Sequence, residues 1–290
     1  MAKGNDQIYN MVNDLIIERL EKGIVPWRKP WVAGEGMPMN LISKKPYRGI
    51  NVFMLGMQGY VSPYWVTFNQ AKAKGGQVKK GEKSTPIVFW KPLQIEDKET
   101  GEKKTIFFLR YFRVFNTDQC EGLNVPTVDL PDCFNPIDEA QAIIEGMPNA
   151  PIIEHKENKA YYAPPTDLVN LPPTENFKTP ETYYATAFHE LAHSTGHKSR
   201  LNRDEVTKAV RFGDNDYSLE ELVAEMTAAM LCQKSGIGNE VIDNQAAYIG
   251  SWLKRLKDDR GMLVKAGGRA QKAFDYILGD NDDEGDNDDE

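Results

Sequence analysis

Hydrophobic positions recur with helical spacing at the start of the 290-residue chain and with strand spacing further along its first half. Apolar residues three and four apart predict an amphipathic helix over residues 6–22, which Gly23 would end. Apolar and aromatic residues dominate 86–91 and 104–115. A polar segment at 96–102 separates these two stretches, so the pattern predicts two strands joined as a β-hairpin.

The second half of the chain predicts mostly helices. The predicted elements there are a helix at 136–147, strands at 152–154, 159–163 and 167–171, a helix starting at Pro180, and further helices at 218–231 and within 245–278. Residues 116–137 are rich in proline, aspartate and asparagine, which is typical of a linker. We therefore predict an α+β fold with two domains: an N-terminal α+β domain (1–125) and a mainly helical C-terminal domain with a small sheet (138–278), joined by a linker at 126–137.

Charge is distributed unevenly between these halves. Residues 1–125 contain 19 Lys and Arg against 12 Asp and Glu, a net charge of +7, whereas the remainder carries −15 and the whole chain −8. A basic first half on an acidic chain predicts an anionic partner for that half. The last twelve residues, 279–290, include eight acids, so they are predicted to form a disordered tail.

The composition also indicates a compartment. No apolar run approaches the ~20 residues of a membrane-spanning helix, and the N-terminus lacks the apolar core of a signal peptide, so we expect no membrane partner. The three cysteines, Cys120, Cys133 and Cys232, show no C-x-x-C spacing. They argue against a disulfide framework and fit a reducing cytoplasm.

One predicted helix carries the chemistry. It begins after Thr179, a good N-cap, contains the motif H-E-x-x-H, and is expected to end with Gly196 in a left-handed conformation. The four-residue spacing puts His189 and His193 on one face, where two imidazole nitrogens can reach one metal ion. Glu190 flanks that face and can act as the general base that takes a proton from water. The competing interpretation is a polar helix face that matches the motif by chance.

A catalytic zinc site uses three protein ligands and one open position, so a third ligand is expected from a second helix. Glu221 is the favoured ligand, and Glu225, one turn later, would hold a histidine N–H. In the alternative, Ser218 and Glu221 form a capping box and Glu225 is the ligand. We predict one Zn²⁺ per chain, with Mn²⁺ or another divalent metal as the alternative. His197 is expected to point away from the site.

The basic first half interleaves aromatic residues with cations. A single-stranded nucleic-acid binder needs this combination, because cations follow the phosphates while rings stack on bases. The predicted DNA contacts are Trp27, Arg28, Trp31, Tyr47, Arg48 and Lys79. In the alternative, the rings fill a core and the lysines are simply solvated. Zinc-finger spacing and basic-zipper heptads, which would read a duplex, are absent from the sequence.

Five separated stretches, taken in order, resemble the ArdC family of antirestriction proteins. They are the Pro26-Trp27 segment and residues 47–51, 184–197, 200–203 and 221–225. The resemblance covers the chain except for the acidic tail. It implies an N-terminal domain that binds single-stranded DNA and a C-terminal zincin-like, gluzincin-like metallopeptidase domain. It also implies a bacterial cytoplasmic protein of plasmids and other mobile elements that protects incoming DNA from host restriction.

The resemblance leaves the cleaved protein unidentified, and the N-terminal part is also similar to a segment of plasmid primases. Two alternatives follow. The chain could be a shield that binds single-stranded DNA and has a structural or vestigial metal site, or it could be a replication or primase accessory factor.

Overall fold

The computed structural model describes residues 3–27, 36–96, 103–126, 135–207, 215–237 and 245–280. The elements of the first part are α1 (Lys3–Glu21), β1 (Met39–Asn40), α2 (Ile50–Gly56), β2 (Tyr64–Thr67), α3 (Phe68–Ala73), β3 (Gln77–Val78), β4 (Thr85–Glu96), β5 (Lys103–Asn116) and β6 (Cys120–Glu121). Those of the second part are α4 (Pro136–Gly146), β7 (Ile152–Glu154), β8 (Tyr161–Ala163), β9 (Leu168–Asn170), α5 (Pro180–Ser194), α6 (Asp204–Thr207), α7 (Asn215–Ser235), α8 (Gln245–Asp258) and α9 (Met262–Leu278). The predicted α+β class is confirmed, and most of the predicted linker and of the acidic tail lies outside the described residues.

The first part is built on a four-stranded sheet with the order β1-β2-β5-β4. The predicted hairpin is confirmed, because β4 and β5 pair antiparallel from Thr85↔Val114 to Glu96↔Lys103. Strands β3 and β6 form a separate antiparallel pair. Because β6 pairs back onto β3, residues up to Glu121 belong to the folded first part, and the linker-like composition that begins at Asn116 overstates the length of the connection.

The second part packs helices around α7, with a small sheet of order β7-β9-β8 on one side. Helix α7 is buried on every side between Leu222 and Cys232. A helix covered on every side has no solvent face, and small residues such as Ala224 and Ala228 allow close neighbours. Asn170, at the end of β9, is fully buried. Its side-chain amide donates to the carbonyl oxygens of Glu157 and Lys159, which holds the loop before β8 against β9.

Both parts contribute to one hydrophobic core. Ile16 and Phe53 of the first part belong to the same buried cluster as Leu222 and Phe274 of the second. The Asn13 side-chain amide donates to the carbonyl oxygen of Leu256 at 3.1 Å, which ties α1 to α8. The two parts are therefore joined by packing as well as by the chain.

The closest approach between the parts occurs where α2 meets α9. Gly49 has a φ of 59° and donates its backbone N–H to Gln271 Oε1 at 2.8 Å. A Cβ on Gly267 would lie 2.6 Å from the backbone nitrogen of Ile50, so only glycine fits there. Beside this contact Arg48 donates to Asp275 Oδ2 at 2.5 Å. Every helix in the described residues is too short or too polar to cross a bilayer.

Candidate metal centre and its cleft

Helix α5 forms where the sequence predicts it. Thr179 accepts the backbone N–H of Thr182 with its hydroxyl, and Pro180 occupies the first helical position. The predicted left-handed end at Gly196 is wrong: the C-cap is Thr195, in the right-handed region. Gly196 is required for a different reason, because a Cβ there would lie 2.4 Å from the Val206 side chain. The missing side chain lets the segment that follows α5 fold back against the helix.

The ligand atoms of His189, His193 and Glu221 converge. All three lie within 4.8 Å of one another. The two Nε2 atoms are 3.2 Å apart. Glu221 approaches from α7, with one oxygen 3.4 Å from His193 Nε2 and the other 3.7 Å from His189 Nε2. The predicted trio is thus assembled by two helices that pack against each other.

These separations fit a divalent metal. Ligand atoms at about 2.0–2.2 Å from a tetrahedral zinc ion are separated from one another by about 3.3–3.6 Å. The 3.2 Å between the two Nε2 atoms, and the 3.4 and 3.7 Å from them to the two oxygens of Glu221, are close to that separation. Two imidazoles and one carboxylate are also a ligand set typical of catalytic zinc. Without a metal, burial opposes protonation of His193, but the carboxylates of Glu220 and Glu221 raise its pKa well above the usual value.

His193 and Glu221 line a cleft of about 720 Å³, and His189 lies beside it, with its Nε2 3.2 Å from His193 Nε2. Glu190, the predicted base, is buried on α5 and lines the same cleft. Residues 160–162, which lead into and include part of β8, form another wall. Strand β8 lies at an edge of its sheet, because its hydrogen-bonded neighbour in the sheet is β9. The cleft therefore combines the candidate metal centre, a carboxylate base and the edge of a sheet.

Glu220, a residue that the sequence analysis missed, orients His193. Its carboxylate lies 3.2 Å from His193 Nδ1, the nitrogen that faces away from the other ligands. Arg203 donates to both oxygens of Glu220, at 2.8 and 2.6 Å, and also to the Thr195 hydroxyl and the Ala192 carbonyl. Burial opposes ionisation of Glu220, but His193 and Arg203 together hold its pKa below the usual range.

The two carboxylates proposed as the third ligand lie in different surroundings, and Glu221 is the one that converges with the two histidines. Glu225 is buried on α7 and lies outside the converging group of three. Helix α7 includes Asn215, so Ser218 lies inside the helix rather than at its N-cap, and the capping-box alternative is wrong. Glu225 was predicted to accept a hydrogen bond from a histidine N–H, but at His193 the carboxylate beside Nδ1 is that of Glu220.

A second group of polar residues lines the cleft beyond the metal centre. His197 lines the cleft, contrary to the expectation that the chain turns it away, and its Nδ1 lies 2.7 Å from the Ser199 hydroxyl. The Tyr162 hydroxyl donates a hydrogen bond to Asp167, and both terminal nitrogens of Arg200 donate to the same carboxylate. Burial opposes ionisation of Asp167, but its hydrogen bonds with Arg200 and Tyr162 hold its pKa below the usual range.

The residues predicted to contact DNA have different fates. Trp27 is 1% exposed and packs edge-to-face on Trp252 at 5.1 Å, and Tyr47 is 6% exposed. Neither ring can stack on a base from a core position, so these two predictions are wrong. Arg48 forms its ion pair with Asp275 at the junction of the two parts.

Lys79 is exposed on the first part, and its ammonium group donates to the Asp118 carbonyl oxygen at 2.9 Å. Its contact with DNA stays a prediction. Arg28 and Trp31 lie outside the described residues.

The fold and the cleft define a metallopeptidase-like protein with an added N-terminal part. Residues 138–269 match the family model of zincin-like metallopeptidases. Residues 6–115 match the N-terminal domain of the anti-restriction factor ArdC.

Known structures extend this likeness to the whole chain. A crystal structure of the metal-free antirestriction protein ArdC from plasmid R388 superposes with a TM-score of 0.76 at 41% identity, covering 94% of this chain and 97% of that one. The Mn(II)-bound structure of the same protein gives a TM-score of 0.73 at 39% identity with the same coverage. The chain belongs to the ArdC family of antirestriction proteins.

Other relatives are longer or uncharacterised. Two DNA primases TraC from Escherichia coli are 36% and 37% identical, over 96% and 93% of this chain. The chain spans 28% and 20% of their respective lengths. The uncharacterized protein y4eC of Sinorhizobium fredii is 33% identical over 93% of this chain and 91% of its own length.

Proposed function

We propose that this protein protects DNA entering a bacterial cell from restriction, by binding it as a single strand and by hydrolysing a peptide bond of a host protein in the metal cleft. The observation that carries the proposal is the convergence of His189, His193 and Glu221 beside Glu190, in a chain that matches an antirestriction protein over nearly its full length. The plasmid origin of that relative supports a mobile-element setting, and free Cys120 and Cys232 are compatible with a reducing cytoplasm.

The resident metal in this proposal is one Zn²⁺ held by His189, His193 and Glu221. The Mn(II)-bound relative supports a divalent ion at this place and makes Mn²⁺ the alternative. When bound, such an ion supplies a Lewis acid that polarises a carbonyl oxygen and lowers the pKa of water.

Glu190 is the residue that moves the proton. Its carboxylate accepts a proton from water as the water oxygen bonds to the peptide carbonyl carbon, and it then delivers that proton to the amide nitrogen as the C–N bond breaks. Its burial against the cleft favours this role, because water-poor surroundings strengthen its interaction with a developing charge. His197, which also lines the cleft, is the residue we propose as a hydrogen-bond donor to the carbonyl oxygen.

Strand β8 is the element proposed to hold the substrate. As an edge strand on the cleft it offers backbone N–H and C=O groups with which an extended peptide can pair. Such pairing contacts the peptide backbone more than the side chains, so it gives little selectivity between substrates. Selectivity would come instead from the first part of the chain, which, when bound to DNA, would raise the local concentration of the peptidase near its target.

The decisive experiment separates metal binding from catalysis. Glu190→Gln keeps the size of the side chain and the three metal ligands but cannot accept the proton. We expect full zinc binding and loss of protection when an unmodified plasmid is transferred by conjugation into a restricting recipient. Glu181→Gln, a glutamate in the first turn of the same helix, is the matched control and should protect like the wild type.

Two results would reject parts of the proposal. Protection by Glu190→Gln equal to that of the wild type would show that peptide hydrolysis is irrelevant and would favour a DNA-binding shield. Equal protection by wild type and an empty vector would remove the antirestriction role itself. Cleavage is followed separately, by mass spectrometry of recipient-cell proteins incubated with wild type or with Glu190→Gln.

A further inference from the structure

Among the residues that the structure describes, the β4–β5 hairpin exposes large aromatic rings on both of its faces. Within the described residues Phe112 is 49% exposed on one face of the hairpin, whereas Trp90, 39% exposed, and Tyr111, 44% exposed, lie on the opposite face, because successive residues of a strand point to opposite sides of a sheet. An exposed ring that adjoins further apolar surface, as Phe112 adjoins the half-buried Phe89, marks a binding surface more often than an isolated exposed ring does. The hairpin is also separate from the metal cleft, since none of its residues lines that cleft.

We propose that this hairpin is the surface on which single-stranded DNA stacks its bases; the inference rests on the DNA binding proposed above. The stacking face consists of Phe89, Phe108, Arg110 and Phe112. The register pairs Phe89 with Arg110, and alternate residues of a strand share a face, so the four side chains lie on one side of the hairpin.

The side chains of the stacking face already contact one another. The rings of Phe89 and Phe112 meet edge-to-face, with centroids 5.8 Å apart. The Arg110 guanidinium lies over the Phe108 ring, 5.0 Å from its centroid. Positions 108, 110 and 112 are spaced by about 6.8 Å along the strand, so the face presents successive flat groups in a row. Flat rings and guanidinium planes on a sheet surface are the groups that stack on unpaired bases.

The charge of the hairpin selects the partner. Among the hairpin side chains that the structure describes, the charged ones are Arg110 and Arg113, both exposed cations. The first part as a whole carries a net charge of +7. An anionic strand is attracted by this surface, whereas a second copy of the same face would bring its Arg110 close to the Arg110 of the first copy and be repelled. A duplex keeps its bases stacked inside, so it cannot use the rings.

The test is a fluorescence-polarisation titration of the full-length protein with a labelled 20-nucleotide single strand and with the matching duplex. Phe112→Ala removes one ring, and we expect roughly 5- to 150-fold weaker binding to the single strand. Duplex affinity should change less. Phe68→Ala, which removes a 57% exposed ring on α3, is the matched control and should bind like the wild type.

A second variant tests the cation. Arg110→Ala should weaken binding and lower the slope of log affinity against log salt by about 0.7, the contribution of one phosphate contact on a single strand. Arg110→Lys should restore the slope but not the full affinity, because an ammonium group does not stack.

The outcomes are distinct. Normal single-strand binding by both Phe112→Ala and Arg110→Ala would overturn the surface and leave the proposed function intact. Failure of the wild type to bind single strands would overturn both. Unchanged DNA affinity together with a loss of dimer in sedimentation would identify the face as a contact between copies. Ultraviolet crosslinking of the wild type, independent of any variant, should label a peptide within 85–116; crosslinks confined to other peptides would reject the inference.

Discussion

The substitution Glu220→Gln tests how the fold controls the metal centre. The carboxylate of Glu220 is buried, lies 3.2 Å from His193 Nδ1, and accepts two hydrogen bonds from Arg203. Glutamine has nearly the same size and can still accept a hydrogen bond, but it carries no charge. The change therefore removes the charge that favours a proton on Nδ1, while leaving the packing of α7 in place.

Two separate losses are expected. A group that holds the outer nitrogen of a metal-binding histidine contributes about 10- to 100-fold in metal affinity, or about 1.4–2.7 kcal/mol. Independently, the buried guanidinium of Arg203 loses its counter-charge, and breaking a buried pair in this way costs up to about 3–5 kcal/mol of folding free energy. The first loss appears in metal titrations, and the second appears in the metal-free protein.

The assay combines Zn²⁺ titration by competition with a chelator and urea denaturation of the metal-free protein. Adding Arg203→Met to Glu220→Gln removes the uncompensated charge, so stability should recover in part while metal affinity stays low. Glu205→Gln is the matched control, because Glu205 also pairs with an arginine, Arg269, but has no contact with His193.

If Glu220→Gln folds and binds Zn²⁺ as tightly as the wild type, Glu220 does not contribute to metal affinity through His193. Recovery of metal affinity together with stability in the double variant would show that Glu220 acts only through charge balance. In that case His193 is oriented by packing alone.

Three further predictions concern the rest of the fold. Gly267→Ala would place a Cβ 2.6 Å from the first amide nitrogen of α2, so urea denaturation should show a loss of about 1–3 kcal/mol, whereas Gly268→Ala, with open space around it, should be neutral. Burial raises the pKa of Asp167, but its ion pair with Arg200 lowers it by more, so the folded-state pKa lies below the unfolded-state value. The ion pair therefore stabilises the fold at pH values above the unfolded-state pKa, and this stabilisation is lost as the pH falls through the folded-state pKa. Asp167→Asn should thus reduce the unfolding free energy of the metal-free protein at neutral pH, and the difference from the wild type should vanish at acidic pH; a difference that persists there would contradict this account. Burial raises the pKa of the Cys232 thiol to about 12, so iodoacetamide at pH 8 should modify it only after denaturation, and modification of the native protein would refute this.

Local features of the sequence predicted the part of the site that lies on one helix. Thr179 and Pro180 mark the start of α5, and the four-residue spacing puts His189 and His193 on one face whatever surrounds them. These predictions depend on backbone geometry over a few residues. The prediction of the hairpin was correct for the same reason, since two apolar stretches that flank a short polar segment pair with each other.

Tertiary packing decided what short-range patterns left open. Glu220, Glu221 and Glu225 are alike as residues, and only the rotation of α7 against α5 determines that Glu221 faces both imidazoles while Glu220 meets the back of His193. Arg203 reaches Glu220 because Gly196 lets the chain fold back on α5, a long-range event with no periodic signature.

The aromatic residues show the same limit. Trp27 and Phe112 both lie near cations in the sequence, but of the two only Trp27 was among the predicted DNA contacts. In the fold Trp27 packs on Trp252 from the second part of the chain, whereas Phe112 remains 49% exposed on the hairpin. Sequence determined which side chains could bind a metal or a base. The tertiary structure decided which of these side chains are accessible, because the partner that buries a side chain can lie far away in the sequence, as Trp252 does from Trp27.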